Sequence, residues 1–169
     1  MSNTQTQKTK TLFNFNADCA IGSWLVVNDI VMGGKSSGHI SLNENGNGLF
    51  NGYISTENNG GFSSIRLDID SFSTDTYQAV VLEIKGDGSI FQFRIKRSTS
   101  EHHSYIFNFE TSGEWQTLII PLHQMTPSFR GSKLDLSNFD KDQIEQIGFL
   151  IAPKINTSFQ LEIKRIILK

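Results

Sequence analysis

The amino-acid sequence predicts an all-β fold, a jelly-roll β-sandwich of two antiparallel sheets. Three observations support this prediction: apolar and polar residues alternate along most of the chain, glycine and asparagine clusters separate the alternating segments, and almost no segment shows the helical period. A length of 169 residues corresponds to one ordinary domain. Many short strands divided by turn signals are typical of sandwiches and barrels.

The alternation locates the individual strands. It is clearest where Phe91, Phe93 and Ile95 are separated by polar residues, and it recurs at Tyr105, Phe107 and Phe109. The phenylalanines of both segments are therefore predicted to lie between the sheets, each burial contributing roughly 1.5 to 3 kcal/mol. The predicted strands cover residues 12–15, 39–42, 49–55, 62–69, 79–85, 89–97, 104–111, 115–122, 147–151 and 159–163.

The segments between these strands contain residues that favour turns. Asp87-Gly88 and the cluster 45–48 are the residue types that tolerate positive φ in tight hairpins. Residues 128–142 are predicted to form a longer connection, with one helical turn at 140–146. Residues 1–10 are predicted to be a polar N-terminal tail, and residues 11–169 a single jelly-roll domain.

Composition excludes several classes of protein. Fifteen Lys and Arg against 17 Asp and Glu give a net charge of -2, without the basic surplus of a general nucleic-acid binder. The single cysteine, Cys19, permits neither an intrachain disulfide nor a cysteine-based zinc site. No run approaches the roughly 18 apolar residues of a membrane span. The polar first ten residues do not resemble a signal peptide, so a cytoplasmic location is expected.

Weak motifs for cofactor or metal binding are also present. Gly34-Lys35-Ser36 resembles the end of a phosphate-binding loop, but Asp29 stands where that loop requires glycine. The adjacent His102 and His103 would point to opposite faces of a strand and could not bind one ion together. The sequence therefore predicts no cofactor and no metal site.

One carboxylate pair resembles the paired acids of glycosidases. Asp68 and Asp70 would share a strand face with Arg66, which favours a solvated, partly charge-balanced strand over a catalytic pair. No serine has the surroundings of a nucleophile such as G-x-S-x-G. An enzyme on this scaffold is the weakest of the functions considered.

Two glycine-rich stretches carry most of the information about function. Residues 24–38 read WLVVNDIVMGGKSSG and residues 50–66 read FNGYISTENNGGFSSIR. Glycines so placed fix turns between strands. The alternative is that the polar residues between them line one surface.

The pattern W-x3-ND-x2-MGG-x-S-x-G, followed by F-x-G-x-I-S and NGGF-x-S-x-R, resembles the complex I intermediate-associated protein 30 family. Agreement continues from residue 12 to residue 168, through Phe93-Arg94, Trp115, Ile120-Pro121, Phe129-Arg130-Gly131, Ile147-Gly148-Phe149 and Phe159-x-Leu161-x-Ile163. The resemblance implies a galactose-binding-like jelly roll without established catalytic residues. Its mitochondrial member acts as an assembly factor for NADH:ubiquinone oxidoreductase, so a protein partner from a respiratory or other multi-subunit complex is expected.

Two functions remain open at this point. The first is a non-catalytic protein-binding or assembly module, and the second is a carbohydrate-binding module, which would need Trp24 or Trp115 exposed beside acids or amides. The candidate binding residues are Trp24, Asn28, Asp29, Glu57, Asn58, Arg66 and Arg130. Arg66 is expected either to contact a ligand or to pair internally with Asp29 and fix the 28–38 loop.

Overall fold

The protein is described by a computed structural model that covers residues 8–29 and 33–169. Short 3-10 turns lie at Ile21–Ser23, Glu57–Asn59 and Leu122–Gln124. The strands of these residues are β1 (Lys10–Asn14), β2 (Leu25–Asn28), β3 (Ser37–Leu42), β4 (Gly48–Ile54), β5 (Ser63–Ser73), β6 (Ala79–Lys85), β7 (Ile90–Lys96), β8 (Ser104–Glu110), β9 (Trp115–Pro121), β10 (Thr126–Phe129), β11 (Ser132–Lys133), β12 (Gln143–Ile151) and β13 (Thr157–Leu168).

The strands form two antiparallel sheets, as predicted. A six-stranded sheet has the order β3-β4-β13-β6-β9, with β1 also paired to β13. A seven-stranded sheet has the order β11-β10-β8-β7-β12-β5-β2. Strands distant in sequence are neighbours in both sheets, and the apolar inner faces enclose one cluster of buried side chains.

The core confirms the predicted inner face, with one difference. Phe93 is fully buried and meets Phe149 edge-on, with ring centroids 5.4 Å apart. Phe107, which pairs with Phe93 across β7 and β8, is only partly buried. The pairing of β8 with β10 ends at Ile106, so Phe107 has no neighbouring strand on that side.

The structure corrects the prediction for residues 128–146. No helical turn forms at 140–146, because β12 begins at Gln143. A β-bulge lies between Ile144 and Gln146, and it brings both Ile144 and Ile147 to the core although they are three residues apart. That spacing imitates one helical turn. The predicted long connection also contains β11 and the last two residues of β10, and β2 was not predicted as a strand. The hairpin predicted at Asp87-Gly88 is wrong, because that turn connects β6 and β7, which belong to different sheets.

The two ends of the described chain lie together. In the pairing of β1 with β13, Lys10 is the Cα partner of Leu168. Lys10, assigned by the sequence to the polar tail, thus belongs to a sheet, while residues 1–7 lie outside the described residues. Within residues 8–29 and 33–169, no helix is long and apolar enough to cross a membrane.

Candidate functional site

A buried carboxylate organises the two glycine-rich stretches. Asp29 follows β2, and its side chain is 0% exposed. It accepts hydrogen bonds from Ser36 N at 2.9 Å, Ser36 Oγ at 2.6 Å, Gly61 N at 2.5 Å and Phe62 N at 3.3 Å. The Ser36 hydroxyl in turn accepts from Ser55 N at 3.0 Å. We call these five residues the Asp29 cluster; it ties together two segments, residues 29–36 and 55–62, that are separated in sequence.

Two glycines leave the space that the carboxylate occupies. A Cβ on Gly34 would lie 2.3 Å from Asp29 Cγ, and one on Gly60 would lie 2.5 Å from Asp29 Oδ2. Neither glycine has a positive φ, so these positions need glycine for close approach. Each glycine-rich motif thus contains one glycine whose presence is explained by the packing around the buried aspartate.

The ionised form of Asp29 is favoured in the folded protein. Burial acts to raise the pKa of its carboxyl group, but the hydrogen bonds from Ser36, Gly61 and Phe62 together outweigh burial, and the pKa lies below the ordinary value. A carboxylate that accepts several backbone N–H bonds is stabilised in just this way. Its oxygens are occupied by internal donors, which makes Asp29 a structural residue of this loop cluster.

Three other predicted residues lie near the Asp29 cluster. Asn28 Oδ1 accepts a 2.5 Å hydrogen bond from Ser63 Oγ at the start of β5. Asn58, at φ 56, donates from Nδ2 to Gly33 O at 3.1 Å. Glu57 forms an exposed ion pair with Lys35 at 3.0 Å. The structure thus brings Asn28, Asp29, Glu57 and Asn58 to one end of the sandwich.

Arg66 does not join them, and the predicted pair with Asp29 does not form. Its Cα partner on β2 is Leu25, whereas the residue opposite Asn28 is Ser63. Successive side chains on a strand point to opposite faces, so Arg66 lies on the outer face of the seven-stranded sheet while Ile65 and Leu67 are buried. The buried anion that was expected to bind Arg66 is satisfied by backbone and serine donors instead.

Trp24 and Arg130 are also remote from this cluster. Trp24 is buried, with its ring stacked on Phe15 at 5.6 Å, and it belongs to the core. Arg130 lies in the turn from β10 to β11 at φ 49, with its guanidinium over the Phe129 ring. That turn is at the opposite edge of the seven-stranded sheet from β2.

A second polar arrangement, which the sequence did not indicate, crosses the outer face of the seven-stranded sheet. Register places Leu25, Arg66, Gly148, Arg94 and Ile106 side by side on five neighbouring strands. We call these five residues the arginine row. The polar residues Asp68, Gln146 and Lys96 form the next row on the same face.

The two guanidinium groups of this row are partly desolvated. Burial lowers the pKa of Arg94 to about 10, with a further contribution from the charge of Arg66. Burial also lowers the pKa of Arg66, which the charge of Asp68 partly offsets. Among residues 8–29 and 33–169, no carboxylate oxygen lies within 4.0 Å of either guanidinium, since the ion pairs of these residues involve other cations.

A third feature is a cleft on the outer face of the six-stranded sheet. It measures about 480 Å³, and its lining includes Trp115, Asn45, Asn47 and Glu83. The Trp115 side chain is 44% exposed. Of the two tryptophans weighed for a sugar platform, Trp24 is thus buried and Trp115 lies exposed beside amides and an acid.

Side chains that bind metal ions are dispersed in the described part of the chain. No group of three or more His, Cys, Asp and Glu residues within 8–29 and 33–169 has the geometry to hold an ion. Cys19 is a free, partly buried thiol there. The sequence-based prediction of no metal or cofactor stays a prediction.

The architecture is that of the carbohydrate-binding jelly rolls. A family 11 carbohydrate-binding module of a Clostridium thermocellum cellulosomal cellulase superposes with a TM-score of 0.71 at 17% identity, covering 95% of this chain and 94% of the module. The same type of module in complex with a β-1,3-1,4-mixed-linked tetrasaccharide gives 0.69 at 19% identity, with coverages of 95% and 94%. At these identities the likeness establishes the fold, a galactose-binding-like jelly roll.

Sequence comparison identifies the family. The model of the Complex I intermediate-associated protein 30 family matches residues 13–163, so the chain belongs to that family. The mitochondrial Complex I intermediate-associated protein 30 of Drosophila melanogaster is 24% identical over 92% of this chain and 61% of its own length. The Mus musculus protein is 24% identical over 93% of this chain and 55% of its own length.

These relatives correct one prediction. The expected cytoplasmic location is wrong, because both relatives are mitochondrial proteins. The expectation was based on the polar character of ten residues, and this chain spans only 61% and 55% of the relatives' lengths. The composition of those ten residues therefore carried no information about the compartment.

Proposed function

We propose that this chain is a non-catalytic protein-binding module that assists the assembly of NADH:ubiquinone oxidoreductase or a related multi-subunit complex. The observation that carries the proposal is the family match over residues 13–163, which includes both glycine-rich motifs and strands of both sheets. The proposal treats residues 11–169 as one domain, because the two sheets enclose one cluster of buried apolar side chains.

The geometry of the motifs supports a role without catalysis. In many enzymes the polar residues of a site keep free atoms for a substrate. Here the carboxylate of Asp29 is fully buried and bonded to Ser36, Gly61 and Phe62. The motif residues that cluster most tightly therefore hold the scaffold, and the binding surface is expected elsewhere on the sandwich.

Depletion of the chain from its native host tests this function. The amount of fully assembled NADH:ubiquinone oxidoreductase on a native gel is expected to fall, with subassemblies accumulating, and the wild-type chain is expected to restore it. A second respiratory complex on the same gel serves as the control. An unchanged amount of the assembled complex after depletion would contradict the proposal.

Trp115 favours carbohydrate binding as a second candidate function. Exposed aromatic rings beside amides and acids are suited to stacking against a sugar ring. If the cleft binds sugar, the wild-type chain is expected to bind a β-1,3-1,4-mixed-linked tetrasaccharide in calorimetry. Trp115→Ala should weaken that binding by about tenfold or more, a loss of ~1.4 kcal/mol.

Tyr53 supplies a matched control for this experiment. It is 44% exposed, like Trp115, and it lies on β4 outside the residues that line the cleft. Tyr53→Ala should leave the affinity unchanged. Absence of saturable binding by the wild-type chain, or equal losses in the two variants, would remove this second candidate.

A further inference from the structure

We infer that the arginine row is the docking site for an acidic segment of the protein partner, with a partner carboxylate held between Arg66 and Arg94. This inference rests on the proposed function, and it specifies the chemistry of the partner surface. The site lies on β5, β12 and β7, away from the Asp29 cluster.

The strand spacing sets the distance between the two arginines of the row. Arg66 and Arg94 both have Gly148 as a Cα partner, on opposite sides of β12. Neighbouring strands are about 4.8 Å apart, so the two arginine backbones are separated by about 10 Å. Gly148 places no side chain in the gap between them.

The gap is a fixed property of the sheet. A Cβ on Gly148 would lie 2.5 Å from the backbone oxygen of Ile65 on β5. A larger residue would have to displace a neighbouring strand that is buried on its inner face. The close approach of β5 to β12 thus excludes a β12 side chain at this point, and the Arg66 side chain extends over the glycine, with its Cγ 3.6 Å from that Cβ position.

The two arginines carry positive charge that the described residues do not pair. Arg94 Nη1 donates to Gln92 Oε1, and Arg66 makes no side-chain hydrogen bond to another residue of 8–29 or 33–169. An arginine has five N–H donors in a planar fork. Two partly buried guanidinium groups with most donors free are unfavourable without an anion, and a carboxylate fits each fork with two parallel hydrogen bonds.

The neighbouring charges leave this positive potential in place. Asp68 lies on the same face and attracts Arg66, and its hydrogen bond from the neutral Gln146 Nε2 at 2.8 Å leaves its charge in place. It is a single carboxylate beside two arginines. Lys96 adds a third cation in the adjacent row, with Nζ bound to the carbonyl oxygen of Glu101 at 2.8 Å. The centre of this sheet face is therefore cationic although the chain as a whole has a net charge of -2.

The apolar residues of the row favour a protein segment as the occupant. The cations are flanked within the row by Leu25, which is 63% exposed, and by the partly buried Ile106. Four strand spacings make the row about 19 Å long, which is the length of about six extended residues. A segment with acidic residues between apolar ones matches this order of side chains. A nucleic-acid polyanion would require a broad basic surface, which the near-balanced charge does not provide.

A peptide titration tests the inference directly on the whole chain. The probe is a blocked hexapeptide with two central glutamates between leucines. The backbone amide signals of the ¹⁵N-labelled protein chain are followed by NMR as the peptide is added. We expect saturable shifts centred on the Gly148 amide. The double variant Arg66→Gln, Arg94→Gln should bind at least about 30-fold more weakly, the loss typical of removing one side of a buried charge pair.

Two controls separate this site from general charge attraction. The variant Lys133→Gln, Lys164→Gln removes the same charge from exposed positions outside the row, and it should bind like the wild-type chain. The same peptide with glutamines in place of glutamates should not bind. Inorganic phosphate binding as tightly as the peptide, equal losses in both double variants, or no saturable shift at Gly148 would overturn the inference.

A complementation experiment distinguishes failure of this inference from failure of the proposed function. In the depleted host, the Arg66→Gln, Arg94→Gln chain should restore less assembled complex than the Lys133→Gln, Lys164→Gln chain at equal expression. Restoration to the wild-type amount would refute the docking site and leave the proposed function standing. If depletion itself has no effect, the proposed function fails, while the peptide titration still decides whether the row binds acidic segments.

Discussion

Asp29→Asn is expected to lower the free energy of unfolding by more than about 3 kcal/mol. A hydrogen bond to a charged group contributes about 1.5 to 3 kcal/mol, and Asp29 accepts four within 3.3 Å. An asparagine side chain has one acceptor oxygen, and in either orientation its NH2 group would face a backbone N–H donor, that of Ser36 or those of Gly61 and Phe62. Chemical denaturation at neutral pH measures the loss.

The exposed Asp75 provides the matched control for this substitution. Its carboxylate makes no hydrogen bond or ion pair within the described residues, so Asp75→Asn should change stability by less than about 0.5 kcal/mol. A loss under about 1 kcal/mol for Asp29→Asn would show that the cluster contributes little to the fold.

The lowered pKa of Asp29 also predicts how the stability of the fold changes at acid pH. Because the pKa of Asp29 in the folded chain lies below its ordinary value of 3.8, its contribution is fully present above that value. The contribution is lost as the pH falls through the folded-state pKa, where the native carboxylate becomes protonated. The stability difference between the wild-type chain and Asp29→Asn should therefore narrow below about pH 4. A stability difference between the two proteins that is constant from pH 7 to pH 2 would contradict the lowered pKa of Asp29.

Phe93→Ala is expected to lower the free energy of unfolding by about 3 to 5 kcal/mol. Phe93 is 0% exposed between the two sheets, and its truncation would leave a cavity beside Phe149 that rigid strands cannot close. Phe107→Ala is the comparison, because Phe107 is the cross-strand partner of Phe93 and is only partly buried.

The free energy of unfolding should fall by at least about 1.5 kcal/mol less in the Phe107 variant than in the Phe93 variant. The reason is that Phe107 buries less apolar area than Phe93 when the chain folds. Urea denaturation of both variants, with the slope checked for two-state behaviour, gives the comparison. Equal losses would mean that Phe107 is buried as deeply as Phe93 in solution.

Strand type and inner face were predictable because they depend on local pattern. The alternation at Phe91, Phe93 and Ile95 directly reports which side chains face the core. The pattern failed at the β-bulge between Ile144 and Gln146, where one extra residue changes the period and produces helical spacing. The alternation pattern also failed to predict β2, a four-residue strand that runs directly into the polar Asn28-Asp29 motif.

The candidate sites were less predictable, because they depend on register between distant strands. Proximity of Asn28, Asp29 and Asn58 follows from motifs at strand ends, but no local signal indicated that Ser36 and Gly61 satisfy Asp29. Arg66 and Arg94 are brought into one row by pairing with Gly148, and that pairing joins strands from three separate parts of the sequence. Sequence periodicity specifies a face, whereas the alignment of one strand with another is decided by the packed core.

The pairing of Lys10 with Leu168 has a consequence for engineering and evolution of this scaffold. Because the first and last strands of the sandwich are neighbours, it can be inserted into a surface loop of a host protein without stretching either junction. The same pairing allows circular permutation: a short linker could join residues 10 and 168, and new ends could be opened at the exposed turn Asp87-Gly88, which connects β6 of one sheet to β7 of the other. Such a permutant would keep both sheets intact and could present either outer face to a tethered cargo.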